Sequence, residues 1–113
     1  MNDCIFCKIA AREIPAAEAY RDDRVVAIED ITPQAPLHVL VIPVEHHSNV
    51  AALAETEDAA LLAHLIAVAS RIGRERGNDG FRLVVNTGPD GGQTVEHLHV
   101  HVLGGRRLTW PPG

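Results

Sequence analysis

The sequence predicts a single α+β domain over residues 1–113, with an antiparallel sheet of about five strands, one long helix and a short N-terminal helix. A chain of 113 residues suits one compact domain. Short strand-like segments lie on both sides of one long helical segment. Most connections are shorter than the dozen or more residues that a parallel crossover needs, so the strands should pair antiparallel.

The N-terminal part of the chain predicts a helix followed by a hairpin. Residues 4–12 place apolar side chains at helical spacing, and we expect Pro15 to close this helix. Residues 18–21 and 24–28 form two strand-like stretches, separated by Asp22-Asp23, a pair that favours a tight turn. We therefore predict two antiparallel strands here.

The centre of the chain predicts a buried strand and then the long helix. Residues 37–43 are mostly Leu, Val and Ile, which is typical of a strand buried on both faces, and His38 is the exception. Thr56 is the predicted N-cap of the helix, ahead of two acidic residues in the first turn, and Gly77 is its predicted end. The apolar stripe of this helix comprises Leu61, Leu65, Val68 and Ile72, widened by Leu62, Ile66 and Ala69.

The last third of the chain predicts two more strands and a loop. Residues 81–86 alternate between apolar and polar character, which indicates a strand. Residues 88–92 contain three glycines, a proline and an aspartate, a composition typical of a loop. Residues 95–103 alternate again and predict the final strand, before a tail at 104–113.

Composition and charge exclude several classes of function. Ten Lys and Arg against fifteen Asp and Glu give a net charge of −5, so we predict no nucleic-acid partner. The cluster of Arg71, Arg74 and Arg76 is interpreted as a solvated face near a helix C-terminus. No apolar run approaches the ~20 residues that span a bilayer, and Asp3-Cys4 does not suit a signal peptide. We therefore predict a cytoplasmic protein with no membrane partner.

Three histidines at alternate positions are the strongest functional signal. Side chains two apart in a strand share a face, so His97, His99 and His101 should form a row while Leu98 and Val100 pack behind them. A buried imidazole loses its hydrogen bonds to water, which costs free energy unless the protein supplies other partners. Three histidines buried only as core residues would therefore be unfavourable. The row therefore predicts a chemical site on one face of the strand.

The residues alone leave three interpretations of this row open. The histidines can be ordinary core or surface residues, or two of them can share a Zn²⁺ with a third ligand from elsewhere. Alternatively, an imidazole without metal can attack phosphorus while its neighbours position the substrate. Gly91 and Gly92 would let the backbone approach an anion, and amides there, with the Thr94 hydroxyl, can donate to phosphate oxygens.

The chain resembles the histidine-triad (HIT) family, and within it the branch of histidine triad nucleotide-binding proteins. The segment His97-Leu98-His99-Val100-His101-Val102-Leu103 is similar to the family's defining signature. The resemblance extends along most of the chain. The other matching segments are Ile14-Pro15, Asp30-Ile31, Pro33-Gln34-Ala35-Pro36, His38, Val41-Ile42-Pro43, Val84-Val85-Asn86, Asp90-Gly91-Gly92-Gln93 and Trp110-Pro111-Pro112-Gly113.

This resemblance implies a HIT-like fold and a purine nucleoside phosphoramidase. Such an enzyme cleaves the P–N bond of adenosine or guanosine phosphoramidates and also acts on aminoacyl adenylates, releasing AMP or GMP. His99 would be the nucleophile and would form a nucleotidyl-histidine intermediate. A dinucleoside polyphosphate hydrolase, a nucleotide-binding regulatory protein with incidental catalysis and a zinc hydrolase are the alternatives.

The resemblance also implies roles for the surrounding residues. His101 would contact phosphate oxygens, and His97 and His38 would support the catalytic site. Asp30 would hold the ribose hydroxyls, a task that suits a carboxylate. The implied nucleotide contacts are Asp30, Ile31, Asn86, Gly92, Gln93, Thr94, His99 and His101, with Thr94 also counted among the catalytic residues.

The cysteines predict a second site. Cys4 and Cys7 have the C-x₂-C spacing of a zinc half-site, and in a reducing compartment such a pair indicates metal or redox chemistry over a structural disulfide. The resemblance implies structural zinc held with His46 and His97, and no cofactor for catalysis. Thiols that simply pack are the other interpretation.

The resemblance further implies a homodimer whose sheet continues across the interface, with residues 104–113 near the dimer and active site. Three departures from the family pattern stand out. Thr94 replaces a common serine and keeps the hydroxyl, Glu96 stands where an aromatic residue is frequent, and Val44-Glu45 replaces a commonly basic pair.

Overall fold

The computed structural model describes residues 3–113, which form an α+β domain as predicted. Its helices are α1 (Ile5–Ala10), α2 (Val50–Ala54) and α3 (Ala59–Arg76). Its strands are β1 (Glu18–Arg21), β2 (Val25–Glu29), β3 (Leu37–Pro43), β4 (Phe81–Val84) and β5 (Val100–Gly104). No helix among these residues is long and apolar enough to cross a membrane.

The five strands form one antiparallel sheet in the order β1-β2-β3-β5-β4. Strand β3 lies at the centre and is buried along its whole length, as predicted. It pairs with β5 in a register that sets His38 opposite Leu103 and Leu40 opposite His101. The centre of the sheet therefore brings His38 and His101 onto neighbouring strands.

Helices cover the two faces of the sheet differently. Helix α3 packs on one face, where Val39, Val41 and Val102 belong to the larger core cluster. Helix α1 packs on the other face, against Leu40 and Ile42. Because side chains alternate along a strand, His38 and His101 project to the α1 side. That side of the sheet carries the candidate site.

Helix α1 is confirmed, but its predicted end is wrong. The helix stops at Ala10, five residues before Pro15, and Arg12 adopts a left-handed conformation with φ 62°. The turn is closed by backbone hydrogen bonds, including that from the Glu13 amide to the Lys8 carbonyl. Proline is therefore not what terminates this helix.

The hairpin between β1 and β2 is confirmed and its turn has a clear cause. The Asp22 carboxylate accepts hydrogen bonds from the backbone amides of Arg24 and Val25, both at 2.9 Å. Its other oxygen accepts from the Tyr20 hydroxyl at 2.6 Å. An aspartate that bonds amides two and three residues ahead fixes a tight turn.

The predicted cap of the long helix is wrong by two residues. Asp58, not Thr56, is the N-cap, because its carboxylate accepts from the Leu61 amide at 3.0 Å. The Thr56 hydroxyl instead donates to the Leu53 carbonyl and accepts from the Asp58 amide. Neither Glu57 nor Asp58 lies within the first turn, which begins at Ala59.

The helix preceding α3 was not predicted from the sequence. Asn49 caps α2 by accepting from the Ala52 amide at 2.8 Å. The stripe on α3 is mostly confirmed, since Leu61, Leu65, Val68, Ala69 and Ile72 are buried. Ile66 is 40% exposed, because it lies beyond the edge of the face that meets the sheet.

Two predicted strand boundaries also need correction. Strand β4 ends at Val84 and not at Asn86. Strand β5 begins at Val100, so residues 95–99, including His97 and His99, lie outside the sheet ladder. The Leu98 amide donates to the His47 carbonyl at 2.7 Å instead of to a neighbouring strand. Leu98 nevertheless packs in the core beside Val100, as the alternation predicted.

Candidate active site and metal cluster

The histidines of the predicted row lie together on the α1 side of the sheet. His99 and His101 have ring centroids 5.0 Å apart, and His38 and His101 have centroids 5.2 Å apart. His97 is inaccessible to solvent, while His99 and His38 are 5% and 6% exposed. On this side of the segment His97 and His99 are buried and His101 is half-buried. Leu98, Val100 and Val102 pack on the other side.

His99 is held in a defined tautomer by its neighbour. Its Nδ1 lies 2.7 Å from the His97 carbonyl oxygen. Because a carbonyl only accepts, Nδ1 carries the proton and donates. The lone pair of neutral His99 is therefore on Nε2, which is the atom that a nucleophilic imidazole needs.

A second hydrogen-bond chain fixes the tautomers of His38 and His101. The Gln34 amide donates to His38 Nδ1 at 3.0 Å, so the proton of neutral His38 is on Nε2. His38 Nε2 lies 2.9 Å from His101 Nδ1 and donates to it. The proton of neutral His101 is consequently on Nε2, where it is a donor for an anionic group.

Burial keeps His101 uncharged at neutral pH. Desolvation, followed by repulsion from His99 and His38, lowers the pKa of His101 to about 4, although Asp30 acts in the opposite direction. Desolvation likewise lowers the pKa of His97 to about 4, against the effect of its hydrogen bond to Pro43. Both imidazoles are therefore neutral near pH 7, as the hydrogen-bond assignments require.

Phe6 on helix α1 is a site residue that the sequence reasoning missed. Its ring packs edge-on against His97 and His99, with centroid separations of 5.8 and 5.2 Å. Such contacts restrict ring rotation in addition to burying apolar surface. Phe6 was predicted only as part of a short helix, because nothing in its sequence neighbourhood indicated which ring it would meet.

Asp30 and Ile31 lie beside the histidines, just after strand β2. One Asp30 oxygen accepts from the Thr32 amide at 2.8 Å, and the other lies 3.4 Å from His38 Nε2. Ile31 is 97% exposed, which is unusual for so large an apolar side chain. A carboxylate and an exposed apolar side chain next to each other could bind a ligand with a hydroxylated and an aromatic part.

Internal hydrogen bonds hold the glycine loop in place. The Gly92 amide donates to the Pro89 carbonyl at 3.0 Å, so it is engaged within the turn. The side-chain amide of Gln93 accepts from the backbone amide of Gly88 through Oε1 and donates through Nε2 to the carbonyls of Ser48 and Val95. Gln93 thus holds the loop in place, and its side chain is not directed freely toward a ligand.

Other predicted ligand contacts in this region differ in exposure. Thr94 is exposed and lines a surface hollow together with Cys4, His46 and Glu96. Asn86 is half-buried and follows strand β4. The exposure of Glu96 shows that this departure from the family pattern does not place a charge in the core.

Cys4 and Cys7, the pair with zinc half-site spacing, come together with His46 and His97, the two histidines that the resemblance implied as further ligands. His97 Nδ1 lies 3.2 Å from Cys4 Sγ, 3.5 Å from Cys7 Sγ and 3.1 Å from His46 Nδ1. Cys7 Sγ lies 3.3 Å from His46 Nδ1. Two sulfurs and two imidazole nitrogens therefore converge on one point.

The donor atoms suit a zinc ion. His97 Nε2 donates to the Pro43 carbonyl at 2.9 Å, so the lone pair on Nδ1 faces the two sulfurs. Zn–N and Zn–S bonds of about 2.0–2.3 Å imply ligand separations of about 3.3–3.8 Å in a tetrahedron. The observed separations are close to this range, and two cysteines with two histidines are a common structural zinc set.

His99 is the one histidine of the row that lies in neither candidate metal group of residues 3–113. Among residues 3–113, a second group that could bind a metal comprises Asp30, His38 and His101. Its two histidines are joined by a proton on His38 Nε2, which a metal would have to displace. Neither group contains His99, which counts against a zinc hydrolase that uses this histidine as a ligand.

The Val44-Glu45 departure has a local explanation. The Glu45 carboxylate pairs with His47 Nε2 at 2.7 Å, and Glu45 is largely exposed. His47 also supplies the carbonyl that receives the Leu98 amide. This acidic residue therefore supports the segment that packs against the histidines.

Comparisons with known proteins agree with this geometry. The model of the HIT domain matches residues 11–108. An uncharacterized HIT-like protein of Synechococcus elongatus is 53% identical, with 99% of this chain and 98% of the relative covered. A 14 kDa zinc-binding protein of Zea mays is 47% identical, with coverages of 96% and 87%.

Solved structures give the same result. A HIT family hydrolase from Legionella pneumophila superposes with a TM-score of 0.93 at 44% identity, covering 98% of this chain and 100% of that one. A histidine triad protein from Clostridium difficile has a TM-score of 0.89 at 43% identity, with 96% of each chain covered. The match extends over essentially the whole domain.

Proposed function

Because this chain belongs to the HIT domain family, we propose that it is a purine nucleoside phosphoramidase. It would hydrolyse the P–N bond of adenosine or guanosine phosphoramidates, and would also release AMP from aminoacyl adenylates. The observation that carries the proposal is the hydrogen bond from His99 Nδ1 to the His97 carbonyl, which leaves the Nε2 lone pair available.

The proposed reaction has two steps. His99 Nε2 attacks phosphorus and forms a P–N bond, while the bond to the substrate amine breaks and the amine leaves with a proton taken from the site. Water then attacks phosphorus, the bond to His99 breaks, and the nucleoside monophosphate is released while the water proton restores the site. His101, with its proton on Nε2, would donate to a phosphate oxygen and offset the charge that develops there.

Substrate binding would use the groups beside the histidines. Asp30 would accept hydrogen bonds from the ribose hydroxyls, and Ile31 would cover the purine base. Asn86 and Thr94 would contact the phosphate, and Gly92 and Gln93 would shape the loop around it. His38 would support the site through its bond to His101.

A structural zinc ion is proposed as well, held by Cys4, Cys7, His46 and His97. The convergence of four donor atoms supports it, as does the name of the similar zinc-binding protein of Zea mays. A zinc ion there would link the N-terminal segment to the segment before β5. In the proposed reaction His99 acts as an imidazole without bound metal, and neither candidate metal group among residues 3–113 includes it.

The test is turnover of an adenosine phosphoramidate by the wild type and by the His99→Ala variant. We expect the variant to lose essentially all turnover while retaining its fold by circular dichroism. His64→Gln is the matched control, since His64 lies on α3 and bonds Asp22 far from the row. Unchanged turnover in His99→Ala would refute the proposal.

A parallel measurement separates the proposed activity from its closest alternatives. Equal amounts of protein are given an adenosine phosphoramidate and a dinucleoside polyphosphate. Faster turnover of the phosphoramidate supports the proposal, and faster turnover of the polyphosphate favours the other hydrolase. Tight AMP binding with negligible turnover of both would favour a regulatory nucleotide-binding protein.

A further inference from the structure

The segment that carries the nucleophile is held by few backbone contacts. Residues 97–99 precede strand β5 and do not belong to the sheet ladder. The Leu98 amide donates to the His47 carbonyl at 2.7 Å, and His97 Nε2 donates to the Pro43 carbonyl at 2.9 Å. The position of this segment therefore depends heavily on what its side chains contact.

His97 contacts the two sites through different atoms. Its carbonyl oxygen accepts the Nδ1 proton of His99 at 2.7 Å. Its own Nδ1 faces Cys4, Cys7 and His46 at 3.1–3.5 Å. One residue thus belongs both to the metal cluster and to the arrangement that sets the tautomer of His99.

Two further contacts connect the cluster to the same point. His46 is adjacent to His47, whose carbonyl receives the Leu98 amide. Cys4 is the N-cap of α1, and Phe6 on that helix packs edge-on against His97 and His99. Ligands from three segments would therefore restrain His97 from several directions at once.

From these contacts we infer that metal binding by Cys4, Cys7, His46 and His97 positions the nucleophile, with His97 as the positioning residue. This inference rests on the proposed function of His99. When the four ligands are drawn to one ion, the His97 carbonyl is fixed where it accepts from His99 Nδ1. When they are not, residues 97–99 gain freedom and His99 samples other orientations and tautomers. The cluster would therefore control activity in addition to stabilising the N-terminal segment.

The first test needs no mutation. The zinc-loaded wild type is depleted with a chelator and then titrated with Zn²⁺ alone, while ¹H–¹⁵N spectra follow the histidine side chains. We expect a slowly exchanging Nδ1 proton of His99 in the zinc-loaded protein and its broadening or loss after depletion. Turnover should fall about 10–100-fold on depletion, mainly through kcat, and return with the zinc titration.

Variants separate positioning from simple loss of structure. Cys7→Ser removes a strong zinc ligand, whereas Cys7→His keeps a ligand at the same position. In the first variant we expect the His99 Nδ1 signal to be lost and kcat to fall about 10–100-fold, as on depletion. In the second variant both should be largely retained. Lys8→Ala, on the same helix and outside the cluster, is the control and should match the wild type.

Several outcomes would overturn the inference. An unchanged His99 signal and unchanged turnover in the depleted protein would show that the cluster does not position the nucleophile. Global unfolding on depletion would show that the metal maintains the fold as a whole. Either result would leave the role of His99 intact, because that role is tested separately by the His99→Ala variant in zinc-loaded protein.

Discussion

The His99 ring donates its Nδ1 proton to the main-chain carbonyl of His97, two residues earlier in the chain, at 2.7 Å. The bond joins the side chain of His99 to the backbone of His97. It directs the Nε2 lone pair of His99 away from the backbone and leaves the side chain of His97 to face the cysteines. The bond therefore leaves His99 Nε2 available for attack and the His97 side chain available to the cysteine cluster.

Replacing Asp30 with Asn should affect only substrates that carry ribose hydroxyls. Loss of the charge weakens hydrogen bonds worth roughly 1.5–3 kcal/mol, so we expect kcat/KM for an adenosine phosphoramidate to fall about 10–100-fold. Steady-state kinetics with the 2′,3′-dideoxy analogue should show no difference between variant and wild type. An equal loss on both substrates would instead assign Asp30 to the support of His38, which lies 3.4 Å away.

The stability of the protein should fall as the pH falls from about 6.5 toward 4. The pKa of His101 is lowered from 6.5 to about 4 in the folded state, chiefly by burial. Between these values the unfolded chain binds the proton and the folded chain does not, so acid favours unfolding. Urea denaturation from pH 7 to pH 4 should therefore show a shallower pH dependence in His101→Gln, and parallel curves would contradict the assignment.

The chain should form a homodimer in solution. Trp110, in the predicted dimer-contact tail, is 81% exposed in the single chain, and β4 is an edge of the sheet. Sedimentation should give twice the 12.2 kDa mass of one chain, and Trp110→Ala should weaken association. Because this is the only tryptophan, its emission should shift to the red on dilution. A 12.2 kDa species at all concentrations would exclude the dimer.

The N-cap of α3 can be tested by a conservative pair of substitutions. Asp58→Ala removes the bond to the Leu61 amide and should lower the free energy of unfolding by about 1 kcal/mol. Asp58→Asn keeps a capping oxygen and should lose much less, as urea denaturation would show. Equal losses in both variants would mean that the exposed ion pair with Arg24 contributes more than the cap.

Much of the fold could be predicted because local patterns and tertiary packing agree. The apolar run at residues 37–43 and the stripe from Leu61 to Ile72 match the surfaces that the structure buries. The error at the start of α3 has a local cause. The Thr56 hydroxyl donates to Leu53 of the unpredicted helix α2 and accepts from the Asp58 amide, and Asp58 accepts from the Leu61 amide and so caps α3.

The candidate site was predicted as a set of residues, but not as an arrangement. Spacing indicated that His97, His99 and His101 lie on one side of the chain. The same spacing predicted that the last strand begins at residue 95, whereas β5 begins at Val100 and the Leu98 amide bonds the His47 carbonyl. The contact of Phe6 with two imidazoles depends on how α1 packs, which no local pattern specifies. The tautomer of His97 likewise depends on a partner distant in sequence, the Pro43 carbonyl.

The central claim, that His99 is the nucleophile, is tested most directly by trapping the reaction. The zinc-loaded wild type is mixed with an adenosine phosphoramidate and quenched rapidly, and peptides are analysed by mass spectrometry under conditions that preserve phosphorus–nitrogen bonds. We predict an adenylyl group on His99 that is absent from His99→Ala. An adenylyl group on His97 or His101, or turnover without any modified histidine, would contradict the account.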